Sequence, residues 1–189
     1  LKTESTASDS LKKQDGQFNE LAGHYGFTRD KRDRTFMPTN GSVVTFNQTL
    51  PIYADKAYIG NTLSSAVYKT VTENVIGVGK FHFIAVSGIN DDDVRLTKRV
   101  NLSPNRMRGF QKGKIGPTDG KDHIGGNYAT ALNFESRLPN LLPESTKTDV
   151  ALFLDFGNVW GVDYDSSLDG GSKLRSSAGA AASWLSPLG

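Results

Sequence analysis

The run NYATALNFESRL at residues 127–138 decides how this chain folds, because its side chains alternate with the period of a β-strand. One face is mostly apolar and carries Tyr128, Thr130, Leu132, Phe134 and Leu138. The other face carries Asn127, Ala129, Ala131, Asn133, Glu135 and Arg137. Successive side chains of a strand point to opposite sides of the sheet. The pattern is typical of a transmembrane barrel, apolar toward lipid and polar toward the lumen, and equally of a soluble sheet with one exposed face.

A second run with the same period follows at residues 149–156. Its two faces carry, respectively, Val150, Leu152, Leu154 and Phe156, and Asp149 and Asp155. Around these runs we predict seven strands, at about residues 17–30, 43–51, 56–69, 75–88, 126–137, 148–158 and 174–186. Residues 1–16 are polar and lack periodicity, so we expect a loop there. The predicted fold class is all-β and antiparallel.

The segments between the predicted strands alternate in length. Residues 31–42, 70–74 and 138–147 form one set; residues 52–55, 89–125 and 159–173 form the other, which contains the two longest. Outer-membrane barrels have short turns on the periplasmic side and longer loops outside, and this arrangement fits that rule except at the short segment 52–55. Because an open seven-stranded sheet would expose two edges in lipid, these strands are predicted to be a fragment of a larger transmembrane β-barrel, or else the sheet does not lie in a membrane.

The composition excludes several classes of function. The chain of 189 residues suffices for one domain, and its net charge of +2 is too small to indicate a nucleic-acid partner. Cysteine is absent, which removes disulfides and thiolate metal sites. The longest apolar run, 150–154, is far shorter than the roughly 18 to 20 residues of a membrane helix. The chain begins at Leu1 without a signal peptide, so its start is expected to be a cut point.

Motifs for catalysis and metal binding are weak. His24, His82 and His123 lie on separate segments without metal-ligand spacing. The run DYDSSLDG at residues 163–170 approaches a calcium loop, but its glycine stands at the eighth position rather than the sixth, and no closing glutamate follows. We interpret it as a polar outer loop. Because phosphate-loop and serine-nucleophile motifs are also missing, we expect no metal, no cofactor and no enzymatic activity.

Short motifs follow one another along the chain in a definite order. They are Tyr25-Gly26-Phe27 with Asp30, Arg32-Asp33, Pro38-Thr39-Asn40-Gly41, Met107-Arg108-Gly109-Phe110, Ile115-Gly116-Pro117, Gly125-Gly126-Asn127, Glu135 with Pro139, Asp155-Phe156-Gly157 and Ser186-Pro187-Leu188-Gly189. Taken in this order, they resemble the C-terminal barrel of the BamA family of bacterial outer-membrane β-barrel assembly factors, and the resemblance covers residues 18–189. The chain departs from the family pattern at Met107, where valine is usual, and at Leu102-Ser103, where a glycine pair is usual.

The resemblance implies a sixteen-stranded barrel in the bacterial outer membrane, preceded by periplasmic POTRA domains. This chain would supply strands eight to fourteen, without the first and last strands that form the lateral gate. It would take part in assembling and inserting β-barrel proteins without an enzymatic reaction. The implied partners are unfolded outer-membrane proteins, accessory assembly lipoproteins and outer-membrane lipid. Two alternatives stay open: a two-partner secretion or TamA-type translocation barrel, and a soluble β-sandwich binding module.

The resemblance also implies a role for the long loop 89–125, which in this family folds back into the barrel lumen. Arg108 would then leave bulk water, and it would need an acidic partner because a guanidinium stays charged. Glu135 and Asp155 lie on the polar faces of neighbouring predicted strands, and one guanidinium can fork to two carboxylates. We expect these three residues to form a lock. Without the resemblance, Arg108 would be interpreted as a solvated loop residue.

Four further residues are expected to shape the tip of this loop. Gly109 permits a tight bend of the backbone, and Gly116-Pro117 is expected to form a stiff turn. Phe110 is expected to anchor the tip against apolar atoms in the lumen. The sequence therefore predicts a structural brace rather than an active site.

Overall fold

The fold was analysed in a computed structural model that describes residues 7–12, 16–143, 146, 148–171 and 173–184. Seven long strands form one antiparallel sheet in the order β1-β2-β3-β4-β7-β8-β9. Their bounds are β1 Glu20–Asp30, β2 Gly41–Ala54, β3 Tyr58–Thr72, β4 Val75–Gly88, β7 Tyr128–Leu138, β8 Thr148–Trp160 and β9 Arg175–Trp184. The long connection between β4 and β7 contains a small hairpin, β5 (Thr118–Asp119) paired with β6 (Asp122–His123).

The predicted antiparallel all-β fold is confirmed, and its seven long strands correspond to the seven predicted segments. Each strand is hydrogen-bonded to its neighbour in the sheet. The described strands do not form two packed sheets, so the β-sandwich alternative is wrong for this part of the chain. No helix within the described residues is long and apolar enough to cross a membrane.

Two details differ from the sequence prediction. Residues 9–12, inside the segment expected to be a loop, form one helical turn, α1 (Asp9–Lys12). The long connection also holds more structure than a plain loop, with a 3₁₀ turn at Leu96–Lys98 besides the β5–β6 hairpin. The motif at residues 186–189 and the end of the last predicted strand lie outside the described residues.

The two faces of the sheet have the predicted characters. On the apolar face, Leu132, Phe134, Leu152 and Leu154 are 41 to 54% exposed. On the polar face, the side chains at the centre of β7 and β8 are buried, Asn133 and Asp155 among them. Strand periodicity explains why residues so close in sequence differ so much in exposure.

The long connection between β4 and β7 covers the polar face of the sheet. Its apolar residues pack with those of β4, β7 and β8 into one cluster, which comprises Val86, Val94, Val100, Leu102, Met107, Ile115, Ala129, Ala131 and Val159. Complete burial of one such large side chain stabilises the fold by about 1.5–3 kcal/mol. The connection is therefore held on the sheet by a core of its own.

The long connections lie at one end of the sheet, here called the loop end. The loop end carries the connections from β4 to β7 and from β8 to β9. The opposite end, the turn end, carries the connections from β1 to β2, β3 to β4 and β7 to β8.

Candidate functional site

Met107, next to Arg108, holds the tip of the long connection against the sheet by apolar packing. Its side chain is 1% exposed and packs in the core cluster. It lies against Gly157 of β8, where an added Cβ would come within 2.6 Å of the Met107 sulfur. A turn follows at Gly109, whose φ of 84° is strained for any residue with a side chain. These two features aim the Arg108 side chain along the polar face.

Arg108 donates three hydrogen bonds to Asp155. The backbone N–H lies 3.2 Å and Nε 2.7 Å from Oδ2, while Nη2 lies 2.5 Å from Oδ1. Asp155 is completely buried, and Asn133, its direct register partner on β7, donates a further bond to Oδ1 at 2.8 Å. This two-pronged geometry is the strongest that a guanidinium and a carboxylate can form.

The remaining guanidinium nitrogen reaches Glu135. Arg108 Nη1 lies 3.0 Å from Glu135 Oε1, which also accepts a bond from Lys80 Nζ at 2.8 Å. Arg137 Nε lies 3.4 Å from the other oxygen, Oε2. Glu135 is therefore shared by three cations, and its side chain is only 8% exposed. The arrangement leaves neither buried carboxylate without an opposite charge, as burial of charge requires.

An aromatic ring completes the surroundings of Arg108. Its Cζ lies 3.8 Å from the centroid of the Phe153 ring, close enough for a cation–π interaction. The Cζ edge of this ring lies over Gly179 of β9, where an added Cβ would come within 2.8 Å of Phe153 Cζ. The absence of a side chain at Gly179 thus lets the ring lie where Arg108 can cover it.

The other expected residues lie nearby but serve different purposes. Phe110 is partly buried and packs against the core cluster. Gly116 has a φ of 110° and passes so close to β8 that an added Cβ would come within 2.8 Å of Val159 Cβ. Pro117 is fully buried, and its carbonyl accepts a bond from the N–H of Ile124 at 3.2 Å. Gly116 and Pro117 therefore form part of the path by which the connection returns to β7.

Sequence reasoning placed Arg108, Glu135 and Asp155, and the structure brings all three together. It missed Lys80, Asn133 and Phe153 as members of the site. Strand parity alone offered a signal, because Asn133 shares a face with Glu135 and Phe153 shares one with Asp155. Lys80 could be found only from the register of β4 on β7, where it faces Asn133.

The charged groups of this site are all paired with opposite charges: Lys80, Arg108 and Arg137 with Glu135, and Arg108 with Asp155. His82 lies on the same face and bonds to the Ser64 hydroxyl at 2.8 Å. Across the described residues, no group of three or more His, Cys, Asp or Glu side chains could hold a metal ion.

Comparison with known proteins identifies a family model and several similar sequences. The sequence model described as the Omp85 superfamily domain matches residues 1–189. The outer membrane protein assembly factor BamA of Neorickettsia risticii is 29% identical over 201 residues, covering 98% of this chain and 26% of that protein. BamA of Neisseria meningitidis serogroup B is 28% identical, covering 93% of this chain and 26% of that protein. A SAM50-like protein of Schizosaccharomyces pombe is 27% identical over 70% of this chain and 30% of its own length.

A solved BamA structure has a similar fold. The crystal structure of BamA from Haemophilus ducreyi lacking POTRA domains 1–3 matches with a TM-score of 0.78 at 20% identity, over 87% of this chain and 36% of that one. The present chain spans between a quarter and a third of the length of the curated relatives it matches. Its predicted resemblance to the BamA barrel and its expected location in the bacterial outer membrane are confirmed. Because the family model covers every residue, the chain belongs to the Omp85 superfamily.

Proposed function

We propose that the protein assembles and inserts β-barrel proteins into the bacterial outer membrane, without an enzymatic reaction. The similar BamA proteins bear the name of outer membrane protein assembly factors, which supports this function. The proposed partners are unfolded outer-membrane proteins, accessory assembly lipoproteins and the lipid around the barrel. The role of this part is to brace the barrel wall through the loop lock, which consists of Arg108, Glu135 and Asp155.

The fully buried Asp155 carries this proposal. A carboxylate without exposure is costly unless it is paired, and three of its hydrogen bonds come from Arg108 on the long connection. Removing the arginine therefore penalises the whole wall of β7 and β8, not the connection alone. The brace links the position of the connection to the integrity of the sheet.

The test replaces Arg108 with alanine in the full-length protein in its native membrane. We expect Arg108→Ala to abolish or weaken heat-modifiable migration in gels and to lower the levels of other outer-membrane β-barrels. Lys112→Ala is the matched control, because it removes an exposed cation from the same connection. Normal heat-modifiability together with normal client levels in Arg108→Ala would eliminate the proposed brace.

The same experiment separates assembly from secretion. An assembly factor that fails lowers the levels of many unrelated β-barrels. A two-partner secretion barrel that fails would leave those levels unchanged and would stop the export of one soluble partner. Unchanged β-barrel levels after depletion of the whole protein would therefore overturn the proposed function, whatever the effect of Arg108→Ala.

A further inference from the structure

Another arginine of the long connection, Arg99, lies buried at the loop end. The side chain of Arg99 has no exposed surface. Its Nη2 donates to Asp163 Oδ1, and its Nη1 lies 3.4 Å from the carbonyl oxygen of Gly161. Its Cζ lies 4.8 Å from the centroid of the Tyr164 ring. All these contacts are with the connection between β8 and β9, a segment that sequence reasoning interpreted only as a polar loop.

Asp163 accepts hydrogen bonds from both arms of the long connection. The outgoing arm is the part that follows β4, and the returning arm is the part that leads into β7. The N–H of Val94, on the outgoing arm, lies 2.7 Å from Asp163 Oδ2. The Asn127 side chain, where the returning arm enters β7, donates to the same oxygen at 3.0 Å. Together with Arg99, these are three donors from two arms on one carboxylate. The Asp163 carboxylate therefore holds the two arms in place, because removing it would leave the buried donors of Val94, Arg99 and Asn127 without this acceptor.

The backbone around Asp163 is equally constrained. The two arms pair with each other, Val100 N–H to Gly126 O at 2.8 Å and Gly126 N–H to Val100 O at 3.1 Å. The next residue, Asn127, donates its N–H to Gly161 O at 2.8 Å. At Gly126 an added Cβ would come within 2.3 Å of the Trp160 carbonyl oxygen. The Gly-Gly-Asn motif therefore serves to bring the two arms against the end of β8.

This cluster shares no side chain with the loop lock. Asp155 lies within β8, whereas Asp163 lies beyond its end at Trp160. The five residue steps from Asp155 to the end of β8 at Trp160 alone correspond to roughly 17 Å at the rise of an extended strand. Each site contains its own arginine and its own aspartate. The long connection is thus attached near its tip and again at its stem.

We propose that Arg99, Asn127 and Asp163 form a second anchoring site, the outer latch, which fixes both arms of the long connection at the loop end independently of the loop lock. Asp163 is its positioning residue. The outer latch keeps the loop end of the barrel covered even when the tip is released. This inference does not rest on the proposed assembly function, because it concerns only where the connection is held.

The test uses two buried cysteine reporters in these 189 residues, which contain no other cysteine, and any cysteine elsewhere in the full-length protein is first replaced by serine. Val94→Cys reports the stem and Met107→Cys reports the tip, at positions that are 2% and 1% exposed. The rate of maleimide labelling is measured on the full-length protein in lipid vesicles. We expect Asp163→Asn to accelerate labelling at Val94→Cys at least tenfold and to leave Met107→Cys within twofold. Asp155→Asn should give the reverse pattern.

Asp93→Asn is the control, because it removes an exposed acid from the same connection and should change neither rate. If Asp163→Asn does not accumulate in a folded form, Asn127→Ala decides the question, since it removes one donor and keeps the backbone bond. A faster rate at Val94→Cys alone supports the outer latch. An unchanged rate there, or an equal rise at both reporters, overturns it.

Discussion

The guanidinium of Arg108 lies over the ring of Phe153, with 3.8 Å between its Cζ and the ring centroid. Phe153 is the register partner of Glu135 on one side and of Gly179 on the other. The Phe153 ring thus packs beneath the Arg108 guanidinium. It lies between Glu135, which accepts a hydrogen bond from Arg108, and Gly179, whose missing side chain leaves space for the ring.

Replacing Phe153 with leucine should remove the cation–π contact with Arg108. We expect Phe153→Leu to lower the free energy of unfolding by about 1–2 kcal/mol, because the cation–π contact is lost in a largely dehydrated site. The matched control is Phe134→Leu, on the apolar face and 50% exposed, which should stay within about 0.5 kcal/mol of wild type. The measurement is urea unfolding in lipid vesicles, and equal effects of the two changes would show that the ring acts by size alone.

A lysine cannot replace Arg108 although it keeps the charge. A single ammonium cannot donate to both oxygens of Asp155 and also reach Glu135 with the geometry of a planar fork. We expect Arg108→Lys to cost about 2–3 kcal/mol in the same unfolding assay, somewhat less than complete loss of the pair. Arg137→Lys should cost less than about 1 kcal/mol, because its contacts to Glu135 are 3.4 Å or longer. A similar loss in both variants would contradict the special role of the fork.

Gly157 should tolerate no side chain while Met107 lies against it. An added Cβ would approach the Met107 sulfur to 2.6 Å and Leu102 Cδ1 to 2.9 Å. We expect Gly157→Ala to destabilise the fold by about 1–3 kcal/mol, and Met107→Val in the same chain to restore part of this loss by shortening the opposing side chain. Gly79→Ala is the control, since no atom lies within 4 Å of its added Cβ. Strictly additive effects of Gly157→Ala and Met107→Val would refute the contact.

The turn between β1 and β2 should respond to acid. The pKa of Asp33 is lowered to about 2, first by the hydrogen bond from the Thr39 hydroxyl and then by the N–H of Asn40. A lowered pKa means that the contribution of this carboxylate to stability is present above its ordinary pKa of about 3.9 and is lost as the pH falls through about 2. We expect Thr39→Val to raise the pKa of Asp33 toward the ordinary value, measured by a carboxyl NMR titration in micelles. Thr35→Val should leave it unchanged; a shift of equal size there would mean that the hydroxyl of Thr39 is not the cause.

The alternation of apolar and polar residues predicted the strands because the two faces of each strand lie in different surroundings. Leu132 and Phe134 differ from Asn133 and Glu135 in just this way, so both the strand and its two faces could be assigned. The charges of the lock were found through the motif order rather than through the pattern itself. A pattern with period two predicts the face of the sheet on which Asp155 lies. It does not predict that Arg108 is its partner.

The residues that were missed depend on contacts between distant segments. Lys80 joins Glu135 only because β4 pairs with β7 in one particular register. Asp163 looked like one of several loop acids, and its partners Arg99 and Asn127 are 64 and 36 residues away. The helical turn α1 depends on similar long-range contacts, since the N–H of Ser10 donates to Asp119 at 3.0 Å. Local sequence carries no record of such pairings.

The direct pairing of Asn133 with Asp155 has a consequence for the order of folding. A slip of two residues between β7 and β8 would keep every side chain on its proper face, yet it would move Asp155 opposite Ala131 or Glu135. In either case Asp155 would lose the amide of Asn133, and in the second it would face another carboxylate. Arg108 then has no complete pair of acceptors to enter. The tip of the long connection can therefore make its full set of hydrogen bonds only to a β7–β8 hairpin in its native register, so the tip can dock completely only after the hairpin has reached that register.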